Sequence, residues 1–214
     1  MMNDIASIRK EYKLQSLDEK DVMKDPIGQF EKWWNDVSGS SVEEANAMTL
    51  ATSTKDGKPS ARIVLLKGFT KEGFVFYTNY ESHKGKELLE NPQACLVFFW
   101  KELERQVRIE GIVEKVTAEE SDEYFHSRPE GSQIGAWASP QSQVINSREI
   151  LEQNVAEAKN KFTSTEIERP GHWGGYRVKP DLLEFWQGRP SRLHDRIQYA
   201  KLNNGTWKIE RLAP

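Results

Sequence analysis

The chain has 214 residues, which is enough to bury one substantial hydrophobic core, and no low-complexity linker divides it. Its net charge is −3, with 30 basic and 33 acidic residues, so it lacks the global positive field of a nucleic-acid-binding protein. No apolar run is long enough to span a membrane, and the N-terminus has no secretion-signal core. We therefore expect a globular cytoplasmic protein that binds neither nucleic acid nor membrane.

A single cysteine rules out an intrachain disulfide, and the spacing of cysteine and histidine does not match a metal site. The single cysteine, Cys95, lies in the apolar run 94–99 and is predicted to be a buried thiol. The sequence has no Cys/His pairs at metal-ligand spacing and no glycine-rich nucleotide fingerprint between a strand and a helix. It therefore predicts no metal site, and it disfavours a Rossmann or P-loop enzyme.

The N-terminal part of the chain predicts a polar arm followed by an amphipathic helix. Residues 1–24 are polar and charged and are predicted to form a flexible arm, with a short helix over 8–12 as the alternative. Asp25 and Pro26 supply an N-cap carboxylate and a first-turn proline, and apolar residues then recur at spacings of three and four. Gly39 ends this pattern, which predicts a structural helix up to that residue.

Eight runs with strand character indicate a mainly β fold. They lie over 47–54, 59–68, 73–79, 93–100, 105–116, 182–186, 196–202 and 206–212. The Asp56-Gly57 and Asn204-Gly205 pairs are typical of tight hairpin turns, and such short connections favour antiparallel pairing over βαβ units. Residues 25–214 are therefore predicted to form a single domain, mainly β with inserted helices, whose seven or eight antiparallel strands close or nearly close into a barrel.

Two helix-associated clusters carry groups that bind phosphate. The predicted helix 82–90 is capped by Ser82 and has cations in its first turn, where free backbone N–H groups also favour an anion. A solvated helix start is the alternative. A capping box begins the next helix, on which Tyr124 and Arg128 share a face close to Ser132. These three side chains are donors of the kinds that hold a phosphate.

Three segments lie between this helix and the C-terminal strands. Small and polar residues over 131–142 lack a helical or strand period and predict a loop. Residues 148–161 predict an amphipathic helix, and 170–175 predict a turn that leads into a short strand at 176–178.

The stretch 183–196 is the strongest candidate for a binding site. Three arginines, a histidine and a tryptophan lie within its fourteen residues. An aromatic and aliphatic strand ends at Gly188, and the cationic groups follow this break. A strand that delivers positive groups and a flat ring to one place suits an anionic, aromatic ligand. The alternative is a solvated turn after an edge strand.

Together these motifs resemble the pyridoxamine 5′-phosphate oxidase family, flavoenzymes of vitamin B6 metabolism. The signature is Glu184-Phe185-Trp186-Gln187, four residues, then Arg192-Leu193-His194-Asp195-Arg196. Further blocks resemble the family in family order, and they lie at 62–67, 77–79, 82–84, 124–129, 132–137 and 211–214. The resemblance covers about residues 9–214. One departure is His83, where arginine is expected in many members.

The resemblance implies an FMN-binding split β-barrel that forms a homodimer, with two FMN sites at the subunit interface and a C-terminal dimerisation and substrate segment. The residues it assigns to FMN are Arg62, Ile63, Val64, Leu65, Leu66, Lys67, Tyr77, Thr78, His83, Lys84, Gln106, Gln141, Ser142, Trp186 and Arg196. Those it assigns to the substrate are Arg9, Lys10, Glu11, Tyr12, Lys67, Tyr124, Arg128, Ser132, Arg192 and His194. Arg192 and His194 are the candidate catalytic residues, and residues 9–12 would close over the substrate.

The implied reaction is oxidation of pyridoxamine or pyridoxine 5′-phosphate to pyridoxal 5′-phosphate. Hydride would pass from the substrate C4′ carbon to flavin N5, and O2 would accept the electrons, yielding H2O2 and, from the amine, NH3. One alternative is another split-barrel flavin protein, such as a reductase or redox sensor. Such a protein would need the FMN residues but not the substrate residues. A second alternative is a non-enzymatic flavin or haem-binding module.

The implied roles of Arg62 and Lys67 conflict with a regular strand over 59–68. The two residues are five apart, so a regular strand would place their side chains on opposite faces. If they serve neighbouring ligands, the strand must end or bulge before Lys67.

Overall fold

The computed structural model describes residues 5–7 and 10–214. Its helices are α1 (Pro26–Ser38), α2 (His83–Glu90), α3 (Ala118–Ser127), α4 (Glu130–Ala138) and α5 (Arg148–Lys161). Its strands are β1 (Ala47–Ser53), β2 (Pro59–Leu65), β3 (Gly68–Thr70), β4 (Gly73–Asn79), β5 (Gln93–Trp100), β6 (Arg105–Lys115), β7 (Trp173–Gln187), β8 (Asp195–Lys201) and β9 (Trp207–Arg211). Single 3-10 turns occupy Ile5–Ser7, Lys101–Leu103 and Pro190–Arg192.

The strands form one sheet in the order β2-β1-β5-β6-β7-β4-β3, with β8 paired to β7 and β9 paired to β8. The pairings of β3 with β4, β4 with β7, β7 with β8 and β8 with β9 are all antiparallel. The C-terminal hairpin is therefore confirmed. Strands β1 and β2 are neighbours as expected, but β4 lies between β7 and β3 rather than beside β2, so the expectation that the first three predicted strands form a meander is wrong. In the described ranges the sheet has nine strands rather than seven or eight, partly because β3 is separate from β2.

The chain forms two compact units. The first contains the described residues up to Thr49, together with 95–110 and 180–214. The second contains 50–94 and 111–179. The strands β1, β5, β6 and β7 each contribute residues to both units.

Helix α1 forms as its sequence signals predict. The Asp25 carboxylate accepts a hydrogen bond from the Gly28 backbone N–H at 3.0 Å, which caps the first turn, and Gly39 caps the C-terminus. The apolar face is buried in the first unit, where Trp33 lies edge-on to Phe185 with ring centroids 5.2 Å apart. This burial stabilises the helix beyond its intrinsic propensity.

Strand β7 is one continuous strand from Trp173 to Gln187. The predicted turn over 170–175 is therefore right up to His172 and wrong from Trp173 onwards, and the prediction of separate strands at 176–178 and 182–186 is wrong. Residues 173–178 pair with β4, and residues 182–187 pair with β8. Pro180 stands between the two paired stretches. Proline has no N–H to give to a ladder, and it is tolerated here because the strand changes partner at this point.

Helix α4 occupies most of the segment 131–142, for which the sequence predicts a loop, and that prediction is wrong. Two glycines lower the intrinsic helix propensity of this segment. The helix is held by burial instead, because Ile134 is 2% exposed and Ala138 is 3% exposed. The Asn154 side chain also donates to the Ala138 carbonyl at 2.9 Å, which satisfies a group at the C-terminal end of the helix.

The N-terminal arm has little regular structure but many contacts within the first unit. Residues 10–12 are not helical, and the rest of the alternative helix over 8–12 lies outside the described residues. Leu17 is 6% exposed, and its N–H donates to the Asp195 carboxylate at 3.0 Å. Cys95, which is predicted to be buried, is partly buried, and burial raises the pKa of its thiol.

Candidate active site

A cleft of about 430 Å³ lies in the second unit, and we call it the Arg62 cleft. It is lined by Arg62, Ile63, Val64, Leu65, Lys67, Tyr77, Thr78, Lys84, Tyr124, Arg128, Gln141 and Trp173. All of these except Trp173 are predicted FMN or substrate residues. Strand β2 ends at Leu65, which lets Arg62 and Lys67 line the same cleft despite their odd spacing. The expectation that the strand ends before Lys67 is therefore confirmed.

Lys84 is a buried ammonium group surrounded by neutral oxygen atoms. The residue is 9% exposed, and its Nζ lies 3.1 Å from Gln141 Oε1, 3.2 Å from Thr78 Oγ1 and 3.4 Å from Ser82 Oγ. Burial, and then the positive charge of Arg62, lower the pKa of Lys84 to about 8. A bound anion would offset both effects.

The first turn of α2 brings Lys84 to this position. Ser82 caps the helix by accepting from the Gly85 N–H at 3.3 Å. A Cβ atom on Gly85 would lie 2.0 Å from the Tyr80 carbonyl oxygen, so only glycine allows this approach of the backbone. The close approach sets the direction from which the Lys84 side chain enters the cleft.

Arg62 is held by a polar network that the sequence analysis did not identify. Its guanidinium donates to Thr52 Oγ1 at 2.5 Å and to Ser60 Oγ, and it lies 3.4 Å from the Glu87 carboxylate. Glu87 is 4% exposed and also accepts from Thr52 at 2.5 Å and Ser60 at 2.6 Å. Burial opposes ionisation of Glu87, but the Ser60 and Thr52 hydrogen bonds lower its pKa below the usual range. The network fixes the orientation of Arg62 and offsets part of its charge.

Arg128 is the basic group in this cleft with the clearest unmet hydrogen-bonding capacity. Its guanidinium carbon lies 4.5 Å from the Trp173 ring centroid, and burial lowers its pKa. Within residues 5–7 and 10–214, its buried Nη1 atom has no hydrogen-bond partner. An unsatisfied guanidinium N–H is costly, and a phosphate oxygen would satisfy it.

Aromatic rings form one side of the same cleft. Tyr77 and Tyr124 are stacked, with ring centroids 3.9 Å apart and planes 20° apart, and Tyr77 also stacks on Trp173 at 5.5 Å. The Lys67 ammonium lies 5.9 Å from the Tyr124 ring centroid. Burial raises the pKa of Tyr77 to about 12, so the phenol stays neutral and can act as a donor.

Several predicted residues do not line the Arg62 cleft. Leu66 is 5% exposed and is part of the core. The exposed His83 ring lies 3.1 Å from Glu87 Oε1. Ser132 and Ser142 are exposed, and Ser142 has a positive φ of 69°.

A second cleft, of about 540 Å³, lies in the first unit, and we call it the His194 cleft. It is lined by Lys10, Glu11, Tyr12, Arg189, Ser191, Arg192 and His194. Arg189 and Ser191 were not predicted, and the predicted Arg9 lies outside the described residues. Ser191 and Arg192 have positive φ angles of 55° and 61°, which turn the chain sharply after Gly188.

The His194 ring is held as a neutral imidazole. Its Nδ1 atom accepts from the Arg189 backbone N–H at 3.1 Å, so the ring proton is assigned to Nε2. Burial, and then the positive charge of Arg192, lower the pKa of His194, although Asp195 opposes this. The ring also contacts Trp186, with centroids 4.6 Å apart. His194 can therefore donate through Nε2 at neutral pH without carrying a charge.

The remaining predicted residues in the first unit are Gln106 on β6, Trp186 on β7 and Arg196 on β8. Glu184 is 2% exposed and bonds Arg196 through both carboxylate oxygens, at 2.7 and 3.1 Å. It also accepts from Arg108 at 2.8 Å. This bidentate ion pair fixes the Arg196 guanidinium. Gln106 is partly buried on β6.

The described residues show neither a metal cluster nor a membrane span. No group of three or more His, Cys, Asp or Glu side chains within 5–7 and 10–214 is placed to hold a metal ion. In the same part of the chain, no helix has the length and apolar character needed to cross a bilayer.

Two family models match the chain. One, described as pyridoxamine 5′-phosphate oxidase, matches residues 40–162. The other, described as the pyridoxine 5′-phosphate oxidase C-terminal dimerisation region, matches residues 173–214. Proteins named pyridoxine/pyridoxamine 5′-phosphate oxidase from Trichormus variabilis and Leptospira interrogans are 58% and 59% identical to the chain. These alignments cover 100% and 98% of both sequences.

Two solved structures are similar over most of the chain. PhzG from Burkholderia lata 383, solved in complex with tetrahydrophenazine-1-carboxylic acid, is 30% identical with a TM-score of 0.87. The alignment covers 94% of this chain and 99% of PhzG. An FMN-binding protein related to pyridoxamine 5′-phosphate oxidase, from Nostoc punctiforme, is 17% identical with a TM-score of 0.70, covering 94% of this chain and 100% of that protein.

The chain has the antiparallel split β-barrel fold with inserted helices, and its full-length relatives make it an oxidoreductase. It belongs to the pyridoxine/pyridoxamine 5′-phosphate oxidase family. The resemblance inferred from the sequence motifs and the predicted fold class are therefore confirmed.

The state of His194 leads to a prediction for nuclear magnetic resonance. The chain has four histidines, so individual ring nitrogens can be resolved in a ¹⁵N titration. We expect His194 to carry its proton on Nε2 at pH 7.5 and to titrate below the usual 6.5. Removing the neighbouring charge by Arg192→Gln should raise this pKa, whereas the exposed Arg148→Gln should leave it unchanged. A proton on Nδ1 at pH 7.5 would contradict the assignment.

Proposed function

We propose that the chain is an FMN-dependent oxidase that converts pyridoxine 5′-phosphate and pyridoxamine 5′-phosphate to pyridoxal 5′-phosphate. Dioxygen is reduced to H2O2, and the amine also releases NH3. The observation that carries the proposal is the excess of buried positive charge in the Arg62 cleft, where Lys84 has only neutral acceptors and Arg128 has an unpaired Nη1. Full-length relatives that are named for this activity support it.

The donor set of the Arg62 cleft fits a flavin phosphate. Arg62 and Lys84 supply two cationic groups, and Thr78 and Gln141 supply neutral polar groups for a hydroxylated chain. When bound, FMN would supply a two-electron acceptor that takes a hydride from the substrate C4′ carbon and passes the electrons to dioxygen. Arg62 would enter this contact already oriented by Glu87, so little side-chain freedom would be lost on binding.

A separate part of the cleft fits the substrate phosphate. Lys67, Tyr124 and Arg128 line it with an ammonium, a phenol and a guanidinium, and the Lys67 ammonium lies 5.9 Å from the Tyr124 ring centroid. Arg128 is the strongest of these groups because its Nη1 has no protein partner within the described residues. Binding energy at a phosphate remote from the reacting carbon would align the substrate ring for the reaction.

The side chains of the His194 cleft are of the kinds that bind a flat pyridine ring. Arg192 offers a positive charge next to a neutral imidazole, and Tyr12 and Trp186 supply rings that lie 5.9 and 4.6 Å from the His194 ring. We assign Arg192 and His194 to orienting the pyridine ring and stabilising charge on it. A neutral His194 with its proton on Nε2 donates a hydrogen bond, and it does not accept a proton through Nδ1 because that atom is already engaged.

We also propose that the chain is a homodimer with FMN bound at the subunit interface. The support is the match of residues 173–214 to a region described as a dimerisation region. Sedimentation with and without FMN tests the assembly.

The proposed activity is tested with the purified, FMN-loaded protein. Incubation in air with pyridoxine 5′-phosphate should give pyridoxal 5′-phosphate and H2O2 in equal amounts, and pyridoxamine 5′-phosphate should also give NH3. A reduced nicotinamide in place of the phosphorylated substrate tests the alternative of a flavin reductase. The proposal fails if the yellow protein forms no pyridoxal 5′-phosphate in air.

The role of Arg192 separates substrate binding from FMN binding. Loss of a charge-assisted contact in Arg192→Ala should lower kcat/KM for pyridoxine 5′-phosphate by roughly 10- to 100-fold, while FMN affinity stays close to that of the wild type. The matched control is Arg148→Ala, whose arginine side chain is 83% exposed and which should change neither quantity. Equal losses of turnover and FMN affinity would mean that Arg192 is wrongly assigned.

The lowered pKa of Lys84 predicts that FMN affinity depends on pH. The folded-state pKa of about 8 lies below the usual 10.5, so the free site loses a positive charge as the pH rises through 8. The flavin phosphate is already dianionic there, so the FMN dissociation constant should increase between pH 7 and pH 9.5. Quenching of flavin fluorescence measures this constant. Lys84→Met should weaken binding and flatten the profile, whereas the exposed Lys55→Met should not. An unchanged profile in Lys84→Met would refute this role.

A further inference from the structure

The segment 10–15, which we call the strap, is tied to one buried carboxylate. Glu104 is 3% exposed, and its Oε2 atom accepts from the backbone N–H groups of Lys13 at 2.8 Å and Leu14 at 3.1 Å. Its Oε1 atom lies 3.7 Å from the Lys10 ammonium. The two carboxylate oxygens of Glu104 therefore contact the strap at two places, Oε1 at residue 10 and Oε2 at residues 13–14. Charge-assisted hydrogen bonds of this kind are stronger than neutral ones.

Glu104 occupies a backbone conformation that does not suit a glutamate. Its φ and ψ are 53° and 39°, which is the left-handed region that glycine and asparagine adopt most readily. A residue held in such a region costs stability, so the contacts of its side chain have to compensate. The contacts that Glu104 makes through its carboxylate are those with the strap.

Gly188 packs directly against Tyr12 of the strap. A Cβ atom at this position would lie 2.7 Å from Tyr12 Cγ and 3.1 Å from Glu104 Cβ, so no larger residue fits beneath the tyrosine. The Gly188 N–H also donates to the Glu104 carbonyl at 2.7 Å. Tyr12 then lies edge-on to Trp186 with ring centroids 5.7 Å apart. The end of β7 is therefore shaped to receive Tyr12.

The neighbouring residue provides a second tie. Arg105 is 5% exposed and donates to Gln15 Oε1 at 2.5 Å, to Asp36 at 2.7 Å and to Gln187 Oε1 at 3.1 Å. Its guanidinium carbon lies 4.4 Å from the Trp33 ring centroid. Gln15, at the end of the strap, is therefore attached to a side chain that α1 and β7 hold rigidly.

We propose that Glu104 is a positioning residue that latches the strap over the His194 cleft. Lys10, Glu11 and Tyr12 of the strap line this cleft, so release of the strap would remove part of the wall that a ligand contacts. Breaking the bonds from Glu104 to the Lys13 and Leu14 amides is the step that releases it. The latch rests on the contacts alone. The identity of the ligand, a phosphorylated pyridine, rests on the proposed function.

Hydrogen exchange at the Lys13 and Leu14 amides tests the latch directly. Glu104→Gly removes the carboxylate and suits the left-handed backbone, so it should raise both exchange rates by roughly 10- to 100-fold without lowering global stability. Glu104→Gln keeps an acceptor oxygen and should retain most of the protection. The control is the exposed Glu102→Gln in the same turn. Unchanged exchange at both amides in Glu104→Gly would overturn the latch.

Kinetics on the FMN-loaded protein test the consequence for the ligand. Glu104→Gly should raise KM for pyridoxine 5′-phosphate by roughly tenfold and change kcat much less, because ground-state and transition-state binding weaken together. Glu104→Gln should lie close to the wild type. Loss of amide protection with an unchanged KM would overturn the link between strap and ligand. Absence of turnover in the wild type would refute the proposed function, and the exchange rates would then decide the latch by themselves.

Discussion

The Arg62 cleft buries positive charge without an equal amount of negative charge, and the proposed function depends on this imbalance. Lys84 is held by neutral oxygens, and Arg128 is held by an aromatic ring and has an unpaired Nη1 within the described residues. Each of these groups loses hydration on folding, and protein contacts restore only part of it. A bound phosphate ester would restore the rest. Under the proposed function, the cost of burying these cations in the free protein is therefore also the source of its affinity for phosphate.

Buried glutamates orient candidate binding groups in both units. Glu87 holds Arg62, and Glu184 holds Arg196 through both carboxylate oxygens. Glu104 holds backbone amides of the strap. Each carboxylate is almost completely buried and accepts hydrogen bonds, and those made by Glu87 and Glu184 lower the pKa of these two groups. The glutamates contact the candidate binding groups directly and hold them in one orientation. Less conformational entropy of these groups would therefore be lost when a ligand binds.

Much of the fold and many of the cleft residues are predictable from local patterns. Asp25 and Pro26 mark the start of α1, and the capping box at Thr117 marks the start of α3, because the first turn of a helix needs acceptors close in sequence. The odd spacing of Arg62 and Lys67 even indicates where β2 ends. The glutamates behind the binding groups could not be assigned in this way, since Glu87 contacts Thr52, which lies 35 residues away.

By itself, the sequence determined the helix starts, the hairpin turns, the family signature and the kinds of groups that bind phosphate. These depend on neighbours along the chain, or on the chemistry of single side chains. Only the tertiary structure decided that the segment containing Ile134 is a helix, and that β7 continues through Pro180 with a change of partner. It also decided that Glu104 reaches Lys13, 91 residues away. Local propensity opposes the first two of these features and is silent on the third, so burial and long-range hydrogen bonds had to settle them.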